Sequence, residues 1–243
     1  MTTQTRPAFY ALAPGGWRDY VTLLHPPYTL WHLSYVVIGA CLAPELPLAR
    51  TALAVAAFFL ALGVGAHALD ELRGRPLRTA IPAPVLVGLA FASVAGAVAI
   101  GIGVAVDYDL WLLAFVAFGA FIVFAYNLEL FGGRFHNDVW FALAWGAFPL
   151  LTGAFTAAGK VTAEALVAAT FAALLSSAQR TLSTPVRRVR RELASVTGTL
   201  ELRDGGREAV TRETLTRAPE TALRLLAAAT VALAVSLLVL RLT

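Results

Sequence analysis

The sequence is poor in charged residues. Only 14% of its 243 residues are Asp, Glu, Lys or Arg, whereas a typical soluble protein has about 25%. The chain has a single cysteine, Cys41, which excludes a disulfide framework and any metal site built from several cysteines. The first 25 residues lack the continuous apolar core of a cleaved signal peptide, so we expect the mature protein to begin near Met1.

Hydrophobic residues dominate the composition. They make up 58% of the chain, and the mean hydropathy is +0.72, so we expect an integral membrane protein. A helix needs about 20 apolar residues to cross a bilayer. On that measure the sequence predicts an all-α bundle of about seven transmembrane helices, over residues 28–43, 51–69, 84–106, 110–130, 139–158, 163–178 and 222–240.

Basic residues are distributed unevenly between the predicted loops. With the N-terminus in the cytoplasm, sixteen arginines lie on the cytoplasmic side, and only Arg50, Lys160 and Arg241 lie outside. The positive-inside rule therefore predicts a cytoplasmic N-terminus and an external C-terminus, in the plasma membrane of a prokaryote. Because this orientation accounts for much of the basic pI of 9.6, and no aromatic-interleaved basic surface is present, we expect no nucleic-acid partner.

A charged segment separates the last two predicted spans. Residues 179–220 contain nine arginines and six acids, and within them SVTGTLELRDGGREAVT predicts a cytoplasmic β-hairpin that turns at Asp204-Gly205. Pro219 is expected in the first turn of the last helix. The predicted organisation is a bundle over residues 1–178, the charged segment over 179–220, and a final transmembrane helix over 221–243. This segment is either a specific binding module or a solvated linker that its arginines hold near anionic lipid head groups.

Polar residues collect at the cytoplasmic ends of the predicted helices. His67, Asp70 and Glu71 have i, i+3, i+4 spacing and so share one helix face. Because ionisable groups at membrane depth usually face a cavity or one another, we expect a cytoplasm-facing pocket. Carboxylates suit Mg²⁺, which makes Asp70 and Glu71 candidate metal ligands. The other polar residues expected at this end are His25, His32, Asn127, Glu129, His136 and Asp138.

Other interpretations of these polar residues remain open. Glu129 can be balanced by Arg134 at the interface. The two acids can also form a salt-bridge patch with the arginines that follow them, Arg73, Arg75 and Arg78. A third possibility is a redox metal or haem, for which the ligands would be His32, His67, Glu129 and His136.

Three stretches of the sequence resemble the UbiA-type intramembrane prenyltransferases. HPPYTLWHLSYVVIGACLA and a second span ending in HALDELRGRPLRTAIP look like the family's opening helix and its first aspartate motif. YNLELFGGRFHNDVWFALAWGAFPLLTG is similar to the end of its fourth span and to its fifth span. The resemblance covers about residues 20 to 180. It implies a helical bundle that binds a polyprenyl diphosphate through Mg²⁺ and transfers the prenyl group to a lipophilic acceptor.

The resemblance also implies roles for individual residues. Asp70 matches the central aspartate of the first motif, and Glu71 is the expected substitute for a missing one, so both are expected as catalytic residues and as magnesium ligands. Arginines would stabilise the departing diphosphate, and Tyr126 and Asn127 would line the wall. The expected substrate-binding residues are His32, His67, Arg75, Arg78, Tyr126, Asn127, Glu129 and Arg180.

The sequence departs from the family at the second aspartate motif. The corresponding stretch, SAQRTLSTPVRRVRRE, has no acid before Glu192, so the usual metal cluster cannot form in the usual way. Arginine forks can instead bind phosphate oxygens in a bidentate manner. Two functions follow as expectations: a prenyltransferase for an isoprenoid diphosphate, or a non-catalytic relative that binds lipid or joins a membrane-protein complex.

Overall fold

A computed structural model describes residues 6–243. Within this range the chain is mostly helical, and two short strands, β1 (Thr199–Glu201) and β2 (Arg207–Ala209), lie before the last helix. In chain order the helices are α1 (Trp17–Leu23), α2 (Pro26–Cys41), α3 (Leu48–Leu72), α4 (Ala83–Asp107), α5 (Leu112–Asn127), α6 (Asp138–Ala158), α7 (Ala163–Glu192) and α8 (Arg212–Leu242).

Among residues 6–243, five helices are long and apolar enough to cross a membrane, namely α3, α4, α6, α7 and α8. They indicate an integral membrane protein, and they correspond to five of the predicted spans. Helices α2 and α5 coincide with the other two predicted spans but have 16 residues each. Such a helix extends about 24 Å, which is less than the roughly 30 Å of a bilayer's hydrocarbon core.

The long helices run in alternating directions, so the bundle has two distinct ends. We call the end that holds Leu72, Asn127 and Asp138 the basic end, because most of the arginines lie there. At the opposite end, Arg241 donates from Nη2 to the carbonyl oxygen of Ala43 at 2.9 Å. This contact fixes the end of α8 against the loop that follows α2.

The charged segment is more helical than the hydropathy of the sequence indicates. Helix α7 continues past the predicted end of its span at residue 178 and reaches Glu192. Helix α8 begins at Arg212 instead of near residue 222, because Thr211 and Thr214 form a capping box. Pro219 therefore lies inside α8 and not in its first turn, which corrects that prediction. Arginine, glutamine and glutamate all favour helix, so a helix can continue where apolar character ends.

The predicted β-hairpin is present between α7 and α8. Its strands are antiparallel, and Leu200 pairs with Glu208. The turn contains Gly205 with a φ of +85°, a left-handed conformation that glycine adopts without strain. Every residue of both strands is exposed, so the hairpin adds nothing to the packed core.

Helix α2 packs closely against α6. Gly39 faces the carbonyl oxygen of Leu150, and Gly153 faces that of Val36, with no room for a Cβ atom at either glycine. Small residues let helix backbones approach in this way. A buried core then forms between α2, α6, α7 and α8, around Trp31, Tyr35, Leu150 and Leu223.

A second core packs α3, α4 and α5 against the other side of α6. It includes Leu62, Leu86, Ile122 and Trp145, all of which are buried. Both α3 and α6 contain a π-helical stretch next to this core, Phe59–Ala66 and Leu143–Ala147. Stretches of this kind frequently occur at functional sites, and here they adjoin two cavities.

Candidate ligand-binding site

A cavity of about 300 Å³ opens inside the basic end of the bundle. We call it the polar cavity. The ends of α3, α5 and α7 and the start of α2 form its walls, and residues 7–10 of the N-terminal segment also line it. The site therefore draws on segments spread between Pro7 and Arg191.

Three arginines of α7 line the polar cavity: Arg180, Arg187 and Arg191. The guanidinium group of Arg180 donates to the Asp138 carboxylate and to the Tyr126 hydroxyl. Arg187 and Arg191 form no ion pair with any residue in 6–243. Arg187 donates from Nη2 to the Thr184 hydroxyl at 3.0 Å, but the charge of both guanidinium groups is available to an anion. The expectation that Arg75 and Arg78 supply that charge stays a prediction.

All four histidines of the sequence line the same cavity. In three of them Nδ1 lies within hydrogen-bond distance of a backbone carbonyl oxygen: His32 with Trp145 at 2.7 Å, His67 with Gly63 at 3.0 Å, and His136 with Tyr126 at 3.0 Å. Because a carbonyl oxygen only accepts, Nδ1 must carry the proton in each ring. When neutral, these rings offer Nε2 as an acceptor.

The fourth histidine, His25, lies just before α2 with a left-handed backbone, at a φ of 46°. Its ring stacks on that of His67, with centroids 4.0 Å apart and planes 14° apart. Its Nε2 atom is buried and has no hydrogen-bond partner in the described part of the chain. Burial also lowers the pKa of His25 well below its ordinary value, so the ring is neutral at pH 7.

The two candidate magnesium ligands face different surroundings. Asp70 lines the polar cavity. Glu71 is fully buried, and it accepts hydrogen bonds from the backbone N–H groups of Leu77 and Thr79 and from the Thr79 hydroxyl, each at 2.9 Å. Glu71 thus holds the loop between α3 and α4 in place. Its oxygens are occupied by that loop, and its assignment as a catalytic residue and metal ligand stays a prediction that this geometry does not favour.

Three further predicted substrate-binding residues lie outside the polar cavity. Arg75 donates to the carbonyl oxygen of Ile81 at 2.6 Å, and Arg78 is exposed. Glu129 pairs with Arg73 at 3.2 Å, so Arg73 takes the place that the sequence predicts for Arg134. The predicted substrate-binding residues that do line the cavity are His32, His67, Tyr126, Asn127 and Arg180.

The polar cavity does not fit a magnesium ion in the way the sequence resemblance implies. Asp70 is its one carboxylate among residues 6–243, whereas Mg²⁺ favours oxygen ligands. No group of three or more His, Cys, Asp or Glu side chains in this range is arranged to hold a metal ion. The same observation argues against the histidines and Glu129 as ligands of a redox metal.

Several residues of the site were not predicted from the sequence. Tyr10 and Tyr28 line the polar cavity with Gln179, Arg187 and Arg191. The side-chain oxygen of Gln179 is buried and has no partner among the described residues. The cluster RRVRR signalled the arginines, but its periodicity did not tell which of them face inward. For Tyr10 the signal was weaker, namely an aromatic pair, Phe9 and Tyr10, in an otherwise polar N-terminal stretch.

The N-terminal segment, residues 6–12, is tied across the cavity by arginines. Arg190 donates to the carbonyl oxygen of Arg6 at 3.2 Å, and Arg191 donates from Nε to that of Pro7 at 3.3 Å. Arg190 is itself held by the buried carboxylate of Glu220 on α8. Arg191 uses Nε for this contact, and its two Nη groups form no hydrogen bond with residues 6–243.

A second cavity, which we call the apolar groove, lies deeper in the bundle between α3, α4, α5 and α6. Its volume is about 100 Å³, and its wall is almost entirely apolar, with residues such as Leu62, Val123 and Phe148. Trp145 lines both the apolar groove and the polar cavity. The two spaces therefore adjoin, and together they resemble a site for a ligand with a charged head and an apolar tail.

Comparisons with protein-family models, with curated proteins and with solved structures found no match for this chain. The UbiA-type relationship stays a prediction from the sequence.

Proposed function

We propose that this protein binds a lipid whose head group carries phosphate, of the isoprenoid diphosphate class. The head group would occupy the polar cavity and the hydrocarbon chain the apolar groove. The observation that carries this proposal is the position of Trp145, which lines a space with two unpaired guanidinium groups on one side and an apolar space on the other.

Charge supports an anionic head group. Arg187 and Arg191 lie in the wall without an ion-pair partner among residues 6–243, and the rings of the cavity histidines supply no negative charge. Guanidinium groups bind phosphate oxygens through parallel hydrogen bonds. We assign the charge recognition to these two arginines and a supporting role to Arg180, which Asp138 already neutralises.

We propose that the protein binds its lipid without catalysing metal-dependent prenyl transfer. Transfer by the family mechanism needs a magnesium cluster, and the residues of this cavity do not fit one. Of the two functions that the sequence leaves open, we therefore favour the lipid-binding relative of the prenyltransferases. Its binding would require no divalent metal.

The same proposal includes an orientation in the membrane. We propose that α2 and α5 cross together with the five long helices, and that the basic end faces the cytoplasm. Sixteen arginines at that end against Arg50, Lys160 and Arg241 at the other support this orientation. The polar cavity would then face the cytoplasm, close to the level of the lipid head groups.

The test is binding of geranylgeranyl diphosphate to the full chain purified in detergent, with EDTA and with Mg²⁺. We expect saturable binding that EDTA leaves unchanged. The double variant Arg187→Gln/Arg191→Gln should weaken binding by about a hundredfold, as expected for the loss of two charge-assisted contacts. Arg78→Gln is the matched control, because Arg78 is exposed and lies outside the cavity.

Substitutions on α5 test separately whether the hydrocarbon chain occupies the apolar groove. Ala120 lines the groove, so Ala120→Trp should fill it and weaken binding of geranylgeranyl diphosphate more than binding of inorganic diphosphate. Ala117 is exposed on the same helix, and Ala117→Trp should change neither. Binding that depends on Mg²⁺, or that is unaffected by both the arginine and the groove variants, would contradict the proposal.

A further inference from the structure

The polar cavity contains hydrogen-bond acceptors that a phosphate cannot satisfy. The Asp70 carboxylate lines it and forms no ion pair with residues 6–243. The Nε2 atom of His25 and the Oε1 atom of Gln179 are both buried without a partner in this range. Phosphate oxygens only accept hydrogen bonds, so they pair with the arginines and leave the Asp70 carboxylate and Gln179 Oε1 unmatched, together with His25 Nε2 when the proton of that ring is on Nδ1, as in the other three histidines.

Buried polar atoms in folded proteins nearly always have a partner, and leaving one unpaired is costly. His25 is 9% exposed and Gln179 is 4% exposed, so bulk water reaches neither of them freely. An unpartnered pair at such depth, both lining one cavity, therefore indicates a ligand that donates hydrogen bonds.

The three acceptors come from different directions. His25 precedes α2, Asp70 lies near the end of α3, and Gln179 is on α7. A ligand with one hydroxyl group, such as a simple phenol, can satisfy only one of them. A molecule with hydroxyl groups on several sides can satisfy all three, and a cavity of about 300 Å³ is in the size range that holds a small organic molecule.

We infer that the polar cavity binds a polyhydroxylated group of the sugar or polyol class, positioned by Asp70, His25 and Gln179 beside a phosphate held by Arg187 and Arg191. This inference rests on the proposed function, since it takes the arginines as the phosphate contacts. It divides the cavity into a donor side on α7 and an acceptor side formed mainly by α2 and α3. The hydroxylated group belongs either to the lipid's own head group or to a separate molecule.

The test compares two phosphate monoesters on the full chain in detergent by isothermal titration calorimetry. Glucose 1-phosphate carries several hydroxyl groups, whereas phenyl phosphate carries an aromatic ring and none. We expect glucose 1-phosphate to bind about tenfold more tightly, as expected for one or two additional hydrogen bonds. Equal affinities, or tighter binding of phenyl phosphate, would overturn the inference.

Variants separate this inference from the proposed function. Asp70→Asn and Gln179→Leu should remove the preference for glucose 1-phosphate while phenyl phosphate binds as before. Arg187→Gln/Arg191→Gln should weaken both esters. A protein that binds geranylgeranyl diphosphate without preferring glucose 1-phosphate would contradict the inference alone. A protein that prefers glucose 1-phosphate but does not bind the lipid would contradict the proposed function alone.

One further arm identifies the source of the hydroxyl groups. Glucose, which has no phosphate, is titrated into protein saturated with geranylgeranyl diphosphate, whose diphosphate occupies the arginines. If glucose binds, the polyol is a separate molecule. If glucose does not bind although glucose 1-phosphate binds the free protein more tightly than phenyl phosphate, the hydroxyl groups belong to the phosphate-bearing molecule, that is, to a lipid head group. Either result supports a hydroxyl-binding site, whereas Asp70→Asn that binds glucose 1-phosphate as tightly as the parent contradicts it.

Discussion

The rings of His25 and His67 lie in parallel, with centroids 4.0 Å apart, in a cavity that also holds two unpaired arginines. Two positively charged rings at this distance would repel each other and the arginines. At most one ring of the pair can therefore be positively charged. The pair makes the basic end of the bundle sensitive to acid, in addition to the carboxylates that lie there.

We expect the folded protein to lose stability as the pH falls below about 6.5, the ordinary pKa of histidine. Burial lowers the pKa of His25 in the folded chain, so on acidification the unfolded chain takes up a proton that the folded chain does not. Melting temperatures measured between pH 7.5 and about 5 should fall less steeply in His25→Gln than in the parent. Identical slopes in the two proteins would contradict this assignment.

Replacing Glu71 by glutamine should lower stability without abolishing binding of geranylgeranyl diphosphate. The substituted amide nitrogen would face a backbone N–H donor of the loop, so we expect a loss of about 1–3 kcal/mol in the free energy of unfolding. Glu129→Gln is the matched control, because Glu129 is 43% exposed in its pair with Arg73. Denaturant titration of both variants checks the difference, and a stable Glu71→Gln that no longer binds the lipid would restore Glu71 to the site.

The contact between α2 and α6 predicts a penalty for any side chain at Gly153. A Cβ atom there would meet the carbonyl group of Val36, so Gly153→Ala should destabilise the bundle by about 1–3 kcal/mol through overpacking. Gly88 on α4 has open space around it, and Gly88→Ala should be neutral or slightly stabilising. Thermal unfolding in one detergent compares the two variants directly, and equal melting temperatures would argue against the close approach.

The buried pair between Arg190 and Glu220 predicts an asymmetry between single and double variants. Their second hydrogen bond is 2.8 Å long, and the Glu220 side chain is only 8% exposed. Arg190→Met leaves that carboxylate buried and unpaired, which should cost about 3–5 kcal/mol. Arg190→Met/Glu220→Leu should recover most of the loss in thermal unfolding. If the double variant is less stable than Arg190→Met, the ion pair contributes more to the free energy of unfolding than the desolvation of its two charges costs.

The helical character of the chain, its membrane-spanning segments and its hairpin could all be predicted from the sequence. Continuous apolar runs marked five long helices, and Asp204-Gly205 marked the turn. Helix ends were less predictable, because hydropathy falls at the bilayer surface while helix propensity does not. Helix α7 therefore extends to Glu192, well past its last apolar turn.

Helix periodicity predicted one part of the site. It placed His67 and Asp70 on one face, and both line the polar cavity. Glu71 follows Asp70 immediately, yet the loop that returns to α4 captures its oxygens through backbone N–H groups. Hydrogen bonds of this kind depend on the path of the loop backbone, and the types of its residues do not determine that path. Tyr10 lies at the cavity because Arg190 and Arg191 form hydrogen bonds with Arg6 and Pro7, a contact between residues far apart in the sequence.

That contact has a consequence for biosynthesis. Arg6 and the arginine that holds it are 184 positions apart, and Glu220, which steadies Arg190, is made later still. The N-terminal segment leaves the ribosome first, but the arginines that hold it over the polar cavity are made only at the end of α7. A chain interrupted before Arg190 would lack both contacts, so this side of the polar cavity is covered only after most of the chain has been synthesised.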